Sequence, residues 1–303
     1  MSQITSVKAP ISDNLRGIIY MIIGMACFTV GDLCVKLASQ ELPSGQVMIA
    51  LGLGCTLVFG FMLIRSGEPM WTRAFFERPV IIRNIGEIIG SYGMFTALAF
   101  SPLSTVTAIT QTLPLVLTLA AALFLGEKVG IHRITAVIIG FIGTLIVIRP
   151  GINGFDQYTL LTLLAVVGMS MRDIGGRLTK RSISSLLLSF YSGLVFLGFG
   201  TFLLLLSGGA KVPTQTTTFT LIALVAAAAL GLMMVTQSVR TGELSVVAPF
   251  RYIRIVFAVL LGIFILDEVI DIYTIVGSMI TILAGIYIWV RENKIASQAT
   301  KSE

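Results

Sequence analysis

The chain has 303 residues, of which 55% are hydrophobic and only 12% charged, with a mean hydropathy of +0.95. A soluble globular domain carries about 25% charged residues, so this composition excludes one and predicts a polytopic membrane protein. The formal net charge of +6 would suit a nucleic-acid partner, but the basic residues are dispersed through short loops, which points to membrane topology and excludes nucleic acid.

Residues 1–16 are polar and partly charged, and no small-residue cleavage site accompanies the apolar run that follows. The first segment is therefore a retained helix rather than a signal peptide. About 20 apolar residues cross a bilayer as a helix. Segments of that length recur at 17–36, 45–64, 80–100, 103–124, 131–148, 158–178, 185–206, 217–239, 245–266 and 272–290, before a second tail at 291–303. The fold class is an all-α integral membrane protein with ten transmembrane helices.

Segment 1 ends in GDLCVKL, which puts Asp32 and Lys36 one turn apart at the end of an apolar stretch. A rise of 1.5 Å per residue sets Asp32 roughly 22 Å along the segment, near the far mouth. Cys27, Cys34 and Cys55 sit within segments 1 and 2 and read as small packing residues, not a disulfide framework. Segment 3 opens with RNIGEIIG: Arg83 and Glu87 are one turn apart inside the membrane, and Tyr92 follows as an aromatic able to stack on a ring. Segment 4 carries Gln111 beside Pro114, where a proline frees a carbonyl and bends the helix. Glu127 closes that segment, and the only histidine, His132, lies in the next loop. A His-based metal or catalytic site is not expected, and no cofactor is required.

Segment 6 ends in RDIGGRL, repeating acid and base at the same spacing in Asp173 and Arg177, with Arg172 added. Phe190 and Tyr191 in segment 7 read as packing or stacking aromatics. Segment 9 begins with APFRYIR, setting Pro249, Arg251, Tyr252 and Arg254 within two turns, and Glu268 closes it. Glu127 and Glu268 stand where a carboxylate can accept from free N–H groups at a helix start, a structural role.

These recurrences have one offset. Shifting by 141 residues carries Asp32 to Asp173, Lys36 to Arg177, Leu103 to Leu244, Ser104 to Ser245 and Glu127 to Glu268 without a gap. The chain therefore reads as two five-helix repeats, 17–149 and 158–290, and because five is odd the second enters the membrane inverted. Small residues also recur: Ala136, Gly140 and Thr144 on segment 5 and Gly277, Thr281 and Gly285 on segment 10. Either these segments pack on each other or they form the seam of a homodimer.

The symmetry divides the charges into two groups. Asp32 with Lys36, and Asp173 with Arg172 and Arg177, fall at opposite ends and read as paired gates, the alternative being bases that snorkel while their acids neutralise them. The equivalents of Arg83, Glu87, Arg251 and Arg254 are Leu224, Ala228, Thr110 and Leu113, all uncharged. A substrate site needs such asymmetry, so Arg83, Glu87, Gln111, Arg251, Tyr252, Arg254 and Tyr92 are the candidate substrate-binding residues.

The stretches TALAFSPLSTVTAITQTLPLVLTLAAALFLGE and SVRTGELSVVAPFRYIRIVFAVLLGIFILDE resemble the EamA-type permeases of the drug/metabolite transporter superfamily, over residues 17–290. RNIGEIIG, RDIGGRL and APFRYIR resemble bacterial members that take up riboflavin or S-adenosylmethionine. The resemblance implies a multi-pass secondary transporter of the bacterial inner (cytoplasmic) membrane, with a small-molecule substrate and membrane lipid as its partners. The expected substrate is a riboflavin-like vitamin. The alternatives are S-adenosylmethionine uptake or exchange, export of an amino acid or metabolite, and, in another class, an intramembrane lipid-modifying enzyme. The absence of a GxxxxGK[ST] loop and of clustered nucleophiles argues against ATP coupling and against an enzyme.

Lys8, Arg16, Arg65, Arg73, Arg78, Lys128, Arg133, Arg177, Lys180, Arg181, Arg240, Arg291, Lys294 and Lys301 share the side of the N-terminus, against Lys36, Arg149 and Lys211 opposite, which places both termini in the cytoplasm. Single cysteines within 151–156 and 208–215 should therefore react with impermeant reagents in intact cells. Cysteines at Arg73 or Lys180 should not, and reaction there reverses the topology.

Overall fold

A computed structural model describes residues 11–124, 131–149, 157–180, 182–241 and 244–299. Among these the chain is helical throughout, with no strand. The long helices are α1 (Ile11–Ala38), α2 (Ser44–Ser66), α3 (Arg78–Phe100), α6 (Ile131–Ile148), α7 (Thr159–Leu178), α8 (Ser185–Leu206), α9 (Gln215–Thr241) and α12 (Ile272–Ala299). Two of the ten apolar segments are broken. The fourth divides into α4 (Leu103–Thr110) and α5 (Leu113–Phe124); the ninth consists of α10 (Leu244–Val247), a 3-10 turn at Ala248–Tyr252 and α11 (Ile253–Leu266). Six of the described helices are long and apolar enough to cross a membrane, and two further apolar stretches, Leu103–Leu117 and Ile134–Ile148, are shorter.

Local chemistry sets the ends. Gly67 terminates α2 in the left-handed region (φ 73°), with its N–H donating to the Ile64 carbonyl, a conformation that costs a residue with a Cβ far more. The Ser184 hydroxyl caps α8 by accepting from Leu187 N. Pro79 occupies the first turn of α3, where its missing N–H costs nothing. The breaks have a common cause, since Pro114 and Pro249 cannot donate to the preceding turn. At the first break the chain tightens into a turn: Gln111 N donates to the Thr107 and Ala108 carbonyls, and the Thr112 hydroxyl to the Ile109 carbonyl.

Helices from both halves share one core, in which Leu63, Val80, Leu98, Leu103 and Tyr191 are sealed. The most extensive packings are α3 on α7, α1 on α9, α2 on α8 and α6 on α12. α3 and α7 run antiparallel, for Gly175 near the end of α7 lies against Pro79 and Arg83 at the start of α3. Their approach is backbone on backbone: a Cβ on Gly86 would sit 2.5 Å from Arg172 N and 2.6 Å from Gly168 O. Outward, the bundle presents apolar side chains such as Leu57, Phe61, Leu205 and Phe264, the surface a hydrocarbon solvent requires.

The small residues of α6 and α12 are used within the chain. A Cβ on Gly143 would meet the Gly277 carbonyl at 2.7 Å, and the Thr281 hydroxyl donates to the Gly140 carbonyl at 3.2 Å.

Gly86→Ala should collapse the amount of folded protein in the membrane, because helix backbones must separate to admit the methyl group. Gly198→Ala, which meets nothing within 4 Å, should be silent. Equal expression of both variants, followed by fluorescence-detected size exclusion, would disprove this account of the α3–α7 contact.

Candidate functional site

The charged residues inside the bundle form two constellations, and only the second has a pairing that sequence spacing predicts, Arg83 with Glu87. Near the end of α1, Asp32 does not pair with Lys36. Its Oδ2 accepts from the Arg254 guanidinium of α11 at 2.6 Å, while Lys36 Nζ donates to the carbonyls of Ser101 (2.6 Å) and Leu98 (3.3 Å), where α3 ends. The reason is geometric: α3 ends with unsatisfied carbonyls beside Lys36, whereas Arg254 is a buried cation needing an anion. A residue expected at a gate and one expected at the substrate site are thus one ion pair. The Arg254 guanidinium also lies 5.8 Å from the Phe28 ring centre.

The second constellation joins α3, α7 and α8. Glu87 is buried, and its two oxygens are shared among three groups. Oε1 faces Arg172 at 3.5 Å; Oε2 accepts from the Ser192 hydroxyl at 2.8 Å and faces Arg83 at 3.7 Å. Arg83 in turn donates to Ser192 Oγ (2.8 Å) and to Asn84 Oδ1 (3.4 Å), and Arg172 Nε donates to Asp173 Oδ1 at 2.9 Å. Because α3 and α7 are antiparallel, Arg83, Glu87, Arg172 and Asp173 meet at one end of the bundle. Asp32 and Lys36 lie toward the other.

Between the halves is a cavity of about 400 Å³ bounded by Arg83, Glu87, Arg172, Asp173, Ser189, Ser192 and Arg251, with Phe28, Leu51, Cys55, Phe59, Phe196, Ala228, Leu232 and Val235 as its apolar wall. Residues 141 apart both line it in three cases: Glu87 and Ala228, Leu51 and Ser192, Cys55 and Phe196. This volume suits a small organic solute. Among the described residues, no group of three or more His, Cys, Asp or Glu could hold a metal ion.

The remaining candidates are dispersed. Gln111 is buried away from the cavity and donates to the Tyr252 carbonyl at 3.3 Å, tying one helix break to the other. The Tyr252 ring lies on Gly285 of α12, with its hydroxyl where a Cβ would be. Tyr92 is turned outward, edge-on to Phe199 with centroids 6.3 Å apart, and does not reach the cavity. The side chain of Arg177 and the whole of Glu127 lie outside the described residues.

Glu268 does accept at a helix start, but not at the helix that follows it. Its carboxylate reaches into the other half and receives Leu103 N (2.5 Å), Ser104 N (3.2 Å) and Ser104 Oγ (2.7 Å), capping α4. The start of α12 is capped by Asp271, which accepts from Thr274 N at 2.8 Å and pairs with Arg149. Burial opposes charge on Asp271, but the Thr274 N–H and Arg149 outweigh it and hold the carboxyl below the usual range.

Sequence reasoning missed Ser192, the bridge between Arg83 and Glu87. The signal available was weak: a serine preceding Gly193 in an apolar segment, at the position where the first repeat has Leu51.

Asp32→Asn and Arg254→Met should each cost about 3 kcal/mol of stability by stranding a buried partner. The double variant should cost less than the sum, and strict additivity in thermal unfolding would show that the two side chains are not coupled.

Comparison with known proteins places this geometry in context. Residues 15–149 match the EamA-like transporter family. An S-adenosylmethionine uptake transporter of Rickettsia bellii is 28% identical over 288 residues, covering 93% of this chain and 96% of its own length; that of Rickettsia prowazekii is 24% identical, covering 95% and 97%. A pseudopaline exporter of Pseudomonas aeruginosa is 25% identical over 89% of this chain and 94% of its own. A crystal structure aligns with a TM-score of 0.60 at 14% identity, over 91% of this chain and 97% of that one, a likeness of fold alone.

Proposed function

From an EamA-like transporter domain at residues 15–149, in a chain that resembles the EamA-type permeases over nearly its whole length, we infer a secondary transporter that moves a small organic metabolite by alternating access. The observation that carries this reading is the charged cavity between the two halves. A wall of ion pairs in an apolar bundle is costly, and a polar solute in transit is a reason to keep it.

Two inverted five-helix repeats with ten crossings form the architecture behind this mechanism, and three features support them. Both helix breaks fall at the same repeat register. Two hydrogen bonds, Gln111 to Tyr252 and Thr281 to Gly140, join residues exactly 141 apart, as residues on a two-fold axis would be. The packing of α1 on α9 is the repeat image of α7 on α3. Alternating access then amounts to rocking about this axis. The end closed by Lys36, by Glu268 on α4 and by Arg149 with Asp271 would open as the Glu87 end closes. With the termini cytoplasmic in a bacterial inner membrane, the fastened end faces outward.

The substrate reading moves from a riboflavin-like vitamin to S-adenosylmethionine. Relatives that match nearly the full chain are named for that solute, and the tyrosine expected to stack on a flat ring lies outside the cavity. Uptake is the favoured direction; the similarity to a pseudopaline exporter supports export as a second reading. An enzyme is not favoured, since the named relatives are transporters.

The test is reconstitution. Liposomes loaded with unlabelled S-adenosylmethionine should accumulate labelled S-adenosylmethionine by counterflow, and riboflavin should not compete. Glu87→Gln should abolish counterflow while the protein still reconstitutes. Accumulation of riboflavin alone would restore the first expectation.

A further inference from the structure

We propose that Arg251 is the specificity-determining residue of this site, the anchor for a carboxylate on the transported solute. The inference rests on the transporter reading and assigns a role within it.

The argument begins with how each cation is neutralised. Arg83 has Glu87 and Ser192; Arg172 has Glu87 and Asp173; Arg254 has Asp32. Arg251 lines the same cavity and has no carboxylate within salt-bridge distance and no hydrogen-bond partner among the described residues. The cavity anions cannot easily be diverted to it: both Glu87 oxygens and one Asp173 oxygen are already engaged. Counting charges around the cavity, three arginines face two carboxylates, so the wall has one positive charge in excess.

Backbone geometry explains why Arg251 escapes pairing while Arg254 does not. The turn at Ala248–Tyr252 is 3-10, not α, and Arg254 belongs to the α-helix that follows. The two guanidinium groups therefore diverge, one into the cavity and the other to Asp32. The position is also asymmetric: the repeat counterpart, Thr110, is buried and donates to its own helix at the Thr107 carbonyl. Arg251 is exposed in the cavity and answered by Asp173 only at a distance, without a salt bridge, and a planar carboxylate accepting two parallel N–H groups gives it a direct partner. Asp173 Oδ2, which has no hydrogen-bond partner among the described residues, offers the complementary place for a cationic centre on the same solute.

The test separates this role from the transport reading. In counterflow, the unaltered protein should select S-adenosylmethionine over its decarboxylated form by about tenfold or more, the strength of one charge-assisted contact. Arg251→Met should weaken S-adenosylmethionine by that factor, leave the decarboxylated form unchanged and so erase the discrimination; Arg251→Lys should keep part of it. Undiminished discrimination in Arg251→Met overturns the anchor while transport stands. A readout independent of that solute is phenylglyoxal labelling of the detergent-purified protein, followed by peptide mass. Arg251 should label faster than Arg83, Arg172 and Arg254, and a panel of organic carboxylates, but not the matching amides, should protect it. If S-adenosylmethionine is not moved yet carboxylates protect, the substrate assignment fails and the anchor holds. Slow labelling, or equal protection by amides, removes the anchor.

Discussion

A charge held within an apolar bundle has to find its opposite on a neighbouring helix, and this constraint organises the molecule. Glu87 is the clearest case: one buried carboxylate draws Arg83 from its own helix, Arg172 from α7 and, through Ser192, the backbone of α8 into one place. Removing any member would leave the rest desolvated and unmatched. Such a network therefore fixes how three helices sit around the cavity.

The network depends in turn on close backbone approach. Glu87 and Arg172 can meet because Gly86 and Gly168 let α3 and α7 touch without intervening side chains. In lipid there is no hydrophobic drive to bring helices together, so close packing and polar contacts supply the adhesion. The glycines and the charges in RNIGEIIG are thus parts of one device, spacing and attraction in the same two turns. At the opposite end the contacts are different in kind: a lysine on helix-terminal carbonyls, a glutamate on helix-starting N–H groups and an arginine–aspartate pair. The first two join side chains to backbone ends, and all three contacts tie segments far apart in the chain.

The sequence alone determined that the chain is helical and membrane-embedded, because apolar runs of bilayer length admit few alternatives. It also located the breaks, through Pro114 and Pro249, and singled out Arg83, Glu87, Arg172, Asp173 and Arg251, since an ionisable residue within an apolar segment stands out against its surroundings. What it could not determine was partnership. The four-residue spacing of Asp32 and Lys36 is compatible with a pair on one helix, but the true partner of Asp32 is 222 residues away. Glu268 likewise caps a helix start 165 residues earlier in the chain, not the one beside it. Ser192, Gln111 and Tyr92 show the same limit, since a polar or aromatic side chain has no orientation until the helices are assembled. Helical periodicity fixes which residues share a face, whereas the neighbour that face meets depends on the packing of the whole bundle, and only the tertiary structure decided it.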